Sequence, residues 1–281
     1  LALFVVFAAA LFVWDFKYGI DFTGGRRLEV KFKNLQPSAS EVKSTLASLN
    51  LGDLIVQPAG ENNMILSFQV ISEETDQTVL AKLNEIPETG GVADSNAYLV
   101  SKSIAEELKI KSLWAIFFAL IAMLAYITYA FRKVSKPVAA WKYGSAAIIA
   151  MFHDVVITMG VFALLGHYYG IEINTAFVAA VLTVLGYSVH DTIVVFDRLR
   201  ENLPKSNEDF EGTVNTSLNQ TIVRSLNTSL TVLLVLASII IFGGASIRTF
   251  TLALAIGIFI GTYSSIFVAS PILVVWEKWK K

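Results

Sequence analysis

The sequence predicts an all-α membrane bundle of six transmembrane helices carrying one extracytoplasmic α+β domain of ferredoxin-like order. Three observations predict it. Of 281 residues, 54% are hydrophobic and 16% charged, where a soluble domain carries about 45–50% and about 25%; mean hydropathy is +0.60. The apolar excess is gathered into runs that can cross a bilayer, which takes about 20 residues. Between the first of these runs and the rest lies a mostly polar stretch with strand and helix periodicity. The formal net charge of −1 argues against nucleic acid as an electrostatic partner. Cysteine is absent, which removes disulfide and thiolate chemistry.

Residues 1–14 are apolar from Leu1 to Trp14 but too few to span alone. They lack the basic flank and cleavage site of a signal peptide. Residues 1–18 are therefore expected to be the outer part and exit of a first transmembrane helix that begins upstream. Gly19-Ile-Asp-Phe-Thr-Gly-Gly25 follows, a turn expected to carry the chain into the first strand, with Gly19, Asp21, Gly24 and Gly25 defining it. It lacks the Gly-Lys-Ser/Thr of a phosphate loop, so no nucleotide site is expected.

Residues 19–111 are expected to form the extracytoplasmic domain. Arg27-Leu-Glu-Val-Lys-Phe-Lys33 alternates as a strand does. Pro37 and Ser38 precede a helix over 40–49, whose positions 42, 46 and 49 share a face. Strands at 54–57 and 64–70 flank Gly60-Glu-Asn-Asn63, a hairpin signal. Ser72-Glu-Glu opens a second helix through Leu83, and residues 92–100 supply a last strand. This βαββαβ order is that of a ferredoxin-like module. A helix from Ser101 is expected to run straight into the membrane.

Residues 112–281 are expected to hold five further spans, at about 112–131, 143–166, 174–197, 222–243 and 249–275. Arg132, Lys133, Lys136 and Lys142 lie in one loop, Arg198, Arg200 and Lys205 in another, and Lys278, Lys280 and Lys281 in the tail. The opposite loops carry only Arg248. The positive-inside rule then places both termini in the cytoplasm and residues 19–111 outside. Tyr and Trp at Trp114, Tyr126, Tyr129, Trp141, Tyr168, Tyr169, Trp276 and Trp279 suit interfacial belts facing membrane lipid. Gly257 and Gly261 have the spacing that lets helices approach closely, here read as internal packing.

Three spans carry groups that hydrocarbon rejects. His153-Asp154 lies near the middle of one, and Tyr187, Ser188, His190, Asp191 and Thr192 cluster in the next. In the following span Arg224 falls on a helical stripe with Ser217, Gln220, Thr221, Asn227, Thr228 and Thr231. An ionisable group at the centre of a bilayer costs about 2.5–3.5 kcal/mol or more, and such groups normally face a bundle interior. Two readings stand side by side. In one, Arg224 neutralises Asp191 as a static ion pair. In the other, Asp191, Arg224, Asp154 and His190 form a proton relay: if the separation of Asp191 and Arg224 changes with conformation, proton binding biases conformation. Arginine suits the fixed counter-charge because it does not deprotonate. Adjacent residues in a helix point about 100° apart, so neither His-Asp dipeptide is expected to make a joint site. His153 reads as a packed, hydrogen-bonded histidine. No His-x-x-x-His pair suggests a metal. No cofactor other than the proton itself, and no catalytic residue, is expected.

These stretches resemble the SecF branch of the SecD–SecF protein-export family, within the RND transporter superfamily. The resemblance rests on Gly19–Gly25, on Phe152-His-Asp-Val155, on Gly186-Tyr-Ser-Val-His-Asp-Thr-Ile-Val-Val-Phe-Asp-Arg198, and on Asn215–Thr221 with Arg224 and Asn227-Thr-Ser229. It covers essentially the whole chain. Two positions depart from the family: His190 stands where Asn is frequent, and Val100-Ser-Lys-Ser103 replaces a Val-Gly-Pro exit from the outer domain. The resemblance implies a non-enzymatic subunit of the bacterial inner membrane that uses the proton gradient to help pull preproteins across. Its implied partners are SecD, separate or fused upstream, the SecYEG channel and the translocating preprotein. It also implies that the family's proton-pathway Asp and Arg fall on Asp191 and Arg224. Two rivals remain: a stand-alone RND exporter of small molecules or lipids, and a scaffold that only assembles the translocase.

Overall fold

A computed structural model describes residues 2–70, 72–132 and 139–279. Lys133, Lys136, Lys280 and Lys281, four of the cations used to orient the chain, lie outside the described residues.

The α+β domain is built on period two. In β1 (Gly25–Phe32) Leu28, Val30 and Phe32 alternate inward, and in β3 (Asn63–Phe68) Met64, Leu66 and Phe68 do the same. With β2 (Ile55–Pro58) and β4 (Val92–Val100) they form an antiparallel sheet of order β2-β3-β1-β4. Register follows from the shared inner face: Val30 opposes Met64 and Leu28 opposes Leu66. The two helices cover that face. α3 (Ala39–Leu46) inserts Val42 and Leu46, and α4 (Glu73–Asn84) inserts Val79 and Leu83. Full burial of each such side chain contributes about 1.5–3 kcal/mol. Ser38 starts α3 by accepting the Glu41 N–H at 3.2 Å. Arg26, at the start of β1, forms a buried ion pair with Asp76 of α4.

Among the described residues, five helices are long and apolar enough to cross a membrane, spanning Lys102–Ala130, Trp141–Tyr169, Thr175–Asn202, Phe210–Phe242 and Ile247–Lys278. The expected count was six; α1 (Ala2–Trp14) is a shorter apolar helix among the described residues. It lies along α6 (Ala140–Tyr169), where Gly160 admits it: a Cβ there would come within 2.3 Å of the Phe7 carbonyl oxygen. α5 (Lys102–Ala130) follows β4 after one residue, with the Ser101 hydroxyl accepting the Ile104 N–H at 3.3 Å.

The membrane helices overrun the apolar stretches that mark them. α8 (Phe210–Phe242) starts well before residue 222 because the Asp209 carboxylate caps it, accepting the Gly212 N–H at 2.8 Å. The last expected span is interrupted. α9 (Ala245–Ser264) passes through one π turn, Ser265–Ala269, into α10 (Ser270–Lys278). Pro271 has no N–H for the regular ladder, and the Ser270 hydroxyl donates to the Ser265 carbonyl at 3.1 Å. α6, α7 (Thr175–Asn202) and α9 form the buried centre, while α5 and α8 are mostly exposed in this chain.

Candidate functional site: a paired carboxylate seam and an outer junction

Small residues make the seam between α7 and α9. A Cβ at Gly257 would meet Val184 Cγ2 at 2.3 Å, and one at Gly261 would meet Ser188 Cβ at 3.0 Å. The glycine pair therefore packs inside the bundle. One turn further along, Ser264 reaches across to α6. Asp154, fully buried, accepts from Ser188 Oγ at 2.6 Å and from Ser264 Oγ at 2.7 Å, both at Oδ2. Its other oxygen, Oδ1, lies 3.0 Å from His153 Nδ1. Contrary to the expectation that adjacent residues do not combine, His153 and Asp154 touch; the two side chains fold toward each other although their Cα–Cβ bonds diverge. His153 is also stacked on Phe4 of α1, with centroids 5.7 Å apart.

Asp191, 2% exposed, faces the hydroxyls of Ser229 on α8 and Thr262 on α9, each 3.4 Å from Oδ2. Ser229 and Thr262 are themselves 2.6 Å apart. The Tyr187 hydroxyl reaches Ser229 Oγ at 3.5 Å, and Thr192 Oγ1 is turned to the Ser188 carbonyl at 3.1 Å. Hydroxyl groups of α8 and α9 thus reach one carboxylate of α7, and among the described residues no Lys or Arg forms an ion pair with it.

In this conformation Asp191 and Arg224 do not form the pair that the static ion-pair reading requires. Ser217, Thr221, Ser225 and Ser229, spaced by four, form the buried face of α8. Gln220, Arg224, Asn227, Thr228 and Thr231 point outward and are exposed. The expected stripe is two stripes. Ser225 directly follows Arg224, and one residue turns a helix by about 100°, so a short hydroxyl takes the tight inner position and the guanidinium the outer one. Arg224 makes no side-chain hydrogen bond or ion pair among the described residues. His190 is likewise exposed and makes no side-chain hydrogen bond among the described residues, although it is close enough to act electrostatically on Asp191.

The glycine signature builds a second feature, where the α+β domain meets the helical bundle. Gly19 precedes the short helix α2 (Ile20–Thr23); its N–H donates to the Ile173 carbonyl at 2.8 Å, and the Ile173 N–H donates to the Lys17 carbonyl at 2.9 Å. Asp21 Oδ2 accepts from the Thr175 N–H at 2.9 Å and the Thr175 hydroxyl at 2.7 Å, placing a carboxylate at the N-terminus of α7. Gly25, at φ +140°, enters β1 where a Cβ would lie 2.6 Å from the Phe68 carbonyl oxygen. The turn expected from sequence is therefore also a docking element. Sequence reasoning missed Ser225, Ser229, Thr262 and Ser264, because hydroxyls in apolar runs are common, and missed Glu172, a lone acid in a short loop.

Residues 81–279 match the family described as Protein export membrane protein SecD/SecF, C-terminal, and residues 16–34 match the SecD/SecF GG motif. The chain belongs to the SecD/SecF family. Among its SecD/SecF relatives, the protein translocase subunit SecF of Thermobaculum terrenum is 43% identical over 278 residues, 95% of this chain and 86% of the relative. The protein translocase subunit SecDF of Brucella abortus is 35% identical over 270 residues, 94% of this chain but 34% of that longer protein. The crystal structure of SecDF from Thermus thermophilus, a translocon-associated membrane protein, matches with a TM-score of 0.84 at 33% identity, over 99% of this chain and 37% of that one. SecDF in its super-membrane-facing form matches at 0.69 and 31% identity.

Proposed function

We propose that this chain is the SecF-type subunit of a protein-export machine of the bacterial inner membrane, and that it couples proton movement to preprotein translocation through Asp191. The family match supports the export role. The observation that carries the proton role is Asp191 itself, buried on α7 within reach of the Ser229 and Thr262 hydroxyls, with no Lys or Arg ion pair among the described residues and the adjacent His190 as the neighbour that can carry positive charge. Hydroxyl groups donate to a carboxylate and accept from a carboxylic acid, so the cluster accommodates Asp191 with or without its proton.

Arg224, Asn227 and Thr228 are exposed beside Leu226, Leu230 and Leu234. A bare guanidinium in lipid is costly, so we read this face as the one that packs against SecD. In that arrangement, approach of Arg224 to Asp191 favours the carboxylate and release of the proton; the separation seen here suits proton uptake. SecYEG and the preprotein complete the assembly, with protons as the only coupling species. We further read α1 as part of a sixth span, both termini as cytoplasmic, and residues 19–111 as an extracytoplasmic domain of ferredoxin-like order.

The test is proton-stimulated export by membranes carrying Asp191→Asn or Arg224→Met. Each variant is expected to insert and fold yet to lose the stimulation. Normal stimulation in either would refute the assignment. A second reading, an assembly scaffold, draws on Asp154, whose serine bonds tie three helices together; it predicts that neutral, shape-preserving replacements at Asp154, Asp191 and Arg224 are all tolerated. Transport by the purified chain alone would instead favour an independent exporter.

A further inference from the structure

Glu172 sits in the five-residue connection between α6 and α7, on the opposite side of the bundle from the capped start of α8. It is 7% exposed, and its Oε1 is buried with no hydrogen-bond partner among the described residues. It lines a cavity of about 470 Å³ together with Lys17, Lys43, Asp53, Ser67 and Gln69. The cavity lies between the outer domain and the loop on which that domain docks. Gly19 lets the carboxylate in: a Cβ at that position would stand 3.2 Å from Glu172 Oε2.

The same few residues hold the two parts together. Gly19 and Ile173 exchange hydrogen bonds with the chain opposite, Thr175 binds Asp21 twice, and Gln57 Nε2 of β2 donates to the Gly170 carbonyl at 3.5 Å. A buried carboxylate with an unpartnered oxygen inside this closure opposes it when ionised, and ceases to do so once protonated.

We propose that Glu172 is a proton-binding site on the outer face that latches the outer domain to the membrane bundle: protonated, it keeps the junction closed, and ionised, it releases it. Water in the cavity supplies the proton, which adds to a carboxylate oxygen and returns to water on opening. This deepens the proton-coupled reading above and rests on it for the link between the latch and export.

The surrounding charges set the range. Burial pushes the Glu172 carboxyl up to about 7, against the pull of Arg27 on β1 and Lys17 after α1, while Asp21 of α2 adds to the rise. Lys43 and Asp53 face the cavity with opposite charges from the α3 side. Arg27 Nε is itself buried without a hydrogen-bond partner. On Glu172's own side of the junction, His167 turns to the Trp14 ring instead. The closed-state value exceeds the open-state value of about 4.3. Closing is therefore fully favoured below about pH 4.3 and loses that support as pH rises through about 7.

The chain has no cysteine, so with a partner cleared of cysteines a pair of spin labels at Glu61→Cys and Tyr169→Cys reports the junction. The full chain with its SecD partner, in vesicles, is measured by pulsed electron resonance from about pH 5 to about pH 8.5. The ratio of closed to open populations is expected to fall by at least about tenfold across this range. Glu172→Gln, neutral throughout, is expected to stay closed, and Glu172→Asp to keep a pH response with a displaced midpoint. A wild-type distribution that does not move with pH, or an undiminished shift in Glu172→Gln, would overturn the latch. Asp191→Asn separates the two proposals. It should retain the distance change while losing export; export that survives Asp191→Asn sinks the relay and leaves the latch to stand or fall on the distances alone.

Discussion

Ser188 of α7 donates to Asp154 of α6 at 2.6 Å, so two central helices of the bundle meet through one fully buried carboxylate. Ser264 completes the contact from α9, immediately before the helix changes to its π turn. The irregular turn and the carboxylate are neighbours, and that is where π turns are frequently found in functional helices.

Replacement of Asp154 by Leu leaves the Ser188 hydroxyl and the His153 Nδ1 without their carboxylate partner and Ser264 with only the Gly261 carbonyl, at 3.1 Å. Unsatisfied buried groups cost about 1–3 kcal/mol each, although hydrogen bonds between membrane helices average only about 0.6 kcal/mol. A loss of about 1–3 kcal/mol in unfolding free energy is expected in detergent, with Ser188→Ala alone costing less than about 1.7 kcal/mol. Unchanged thermal stability in Asp154→Leu would contradict the role assigned to it.

Gly257→Ala should force α7 and α9 apart, because the new methyl meets both Val184 Cγ atoms, at 2.3 and 2.6 Å. Overpacking of this kind costs about 1–3 kcal/mol. Val184→Ala removes the obstructing atoms, so the double variant should recover most of the loss. The measurement is a double-mutant cycle on melting temperature; strict additivity would argue against the close seam.

Thr175→Val deletes the hydroxyl bond to Asp21 but keeps the backbone one. Asp21→Ala deletes both and removes a charge from the start of α7, an interaction of about 0.3–1 kcal/mol before the hydrogen bonds are counted. Amide exchange in residues 170–175 should therefore accelerate more in Asp21→Ala than in Thr175→Val. The reverse order would place the strength of the junction elsewhere.

Asp76→Ala strands Arg26 in the interior of the α+β domain, and uncovering one partner of a buried pair typically costs about 3–5 kcal/mol. Protection of the α4 amides should drop sharply. Arg26→Met combined with Asp76→Leu should regain much of it, since an apolar pair needs no partner charge.

Much of this protein follows from its sequence alone. Alternation at Leu28, Val30 and Phe32 determined a strand with one buried face, because side chains of an extended chain alternate by geometry. Apolar runs determined membrane helices, because no other open-chain element satisfies its backbone in hydrocarbon. The signatures at Gly19–Gly25 and Gly186–Arg198 determined the family. What the sequence left open was which neighbour each intramembrane polar group meets. Arg224 and Ser225 are adjacent in the chain, and only helix packing decides that the serine turns toward Asp191 while the arginine turns outward. Glu172 shows the same limit. As one acid in a short loop it carries no pattern, and its burial arises only when Gly19, more than 150 residues earlier, closes over it. Periodicity is local and is written along the chain; the partner of a buried charge belongs to another element, and tertiary contact alone assigns it.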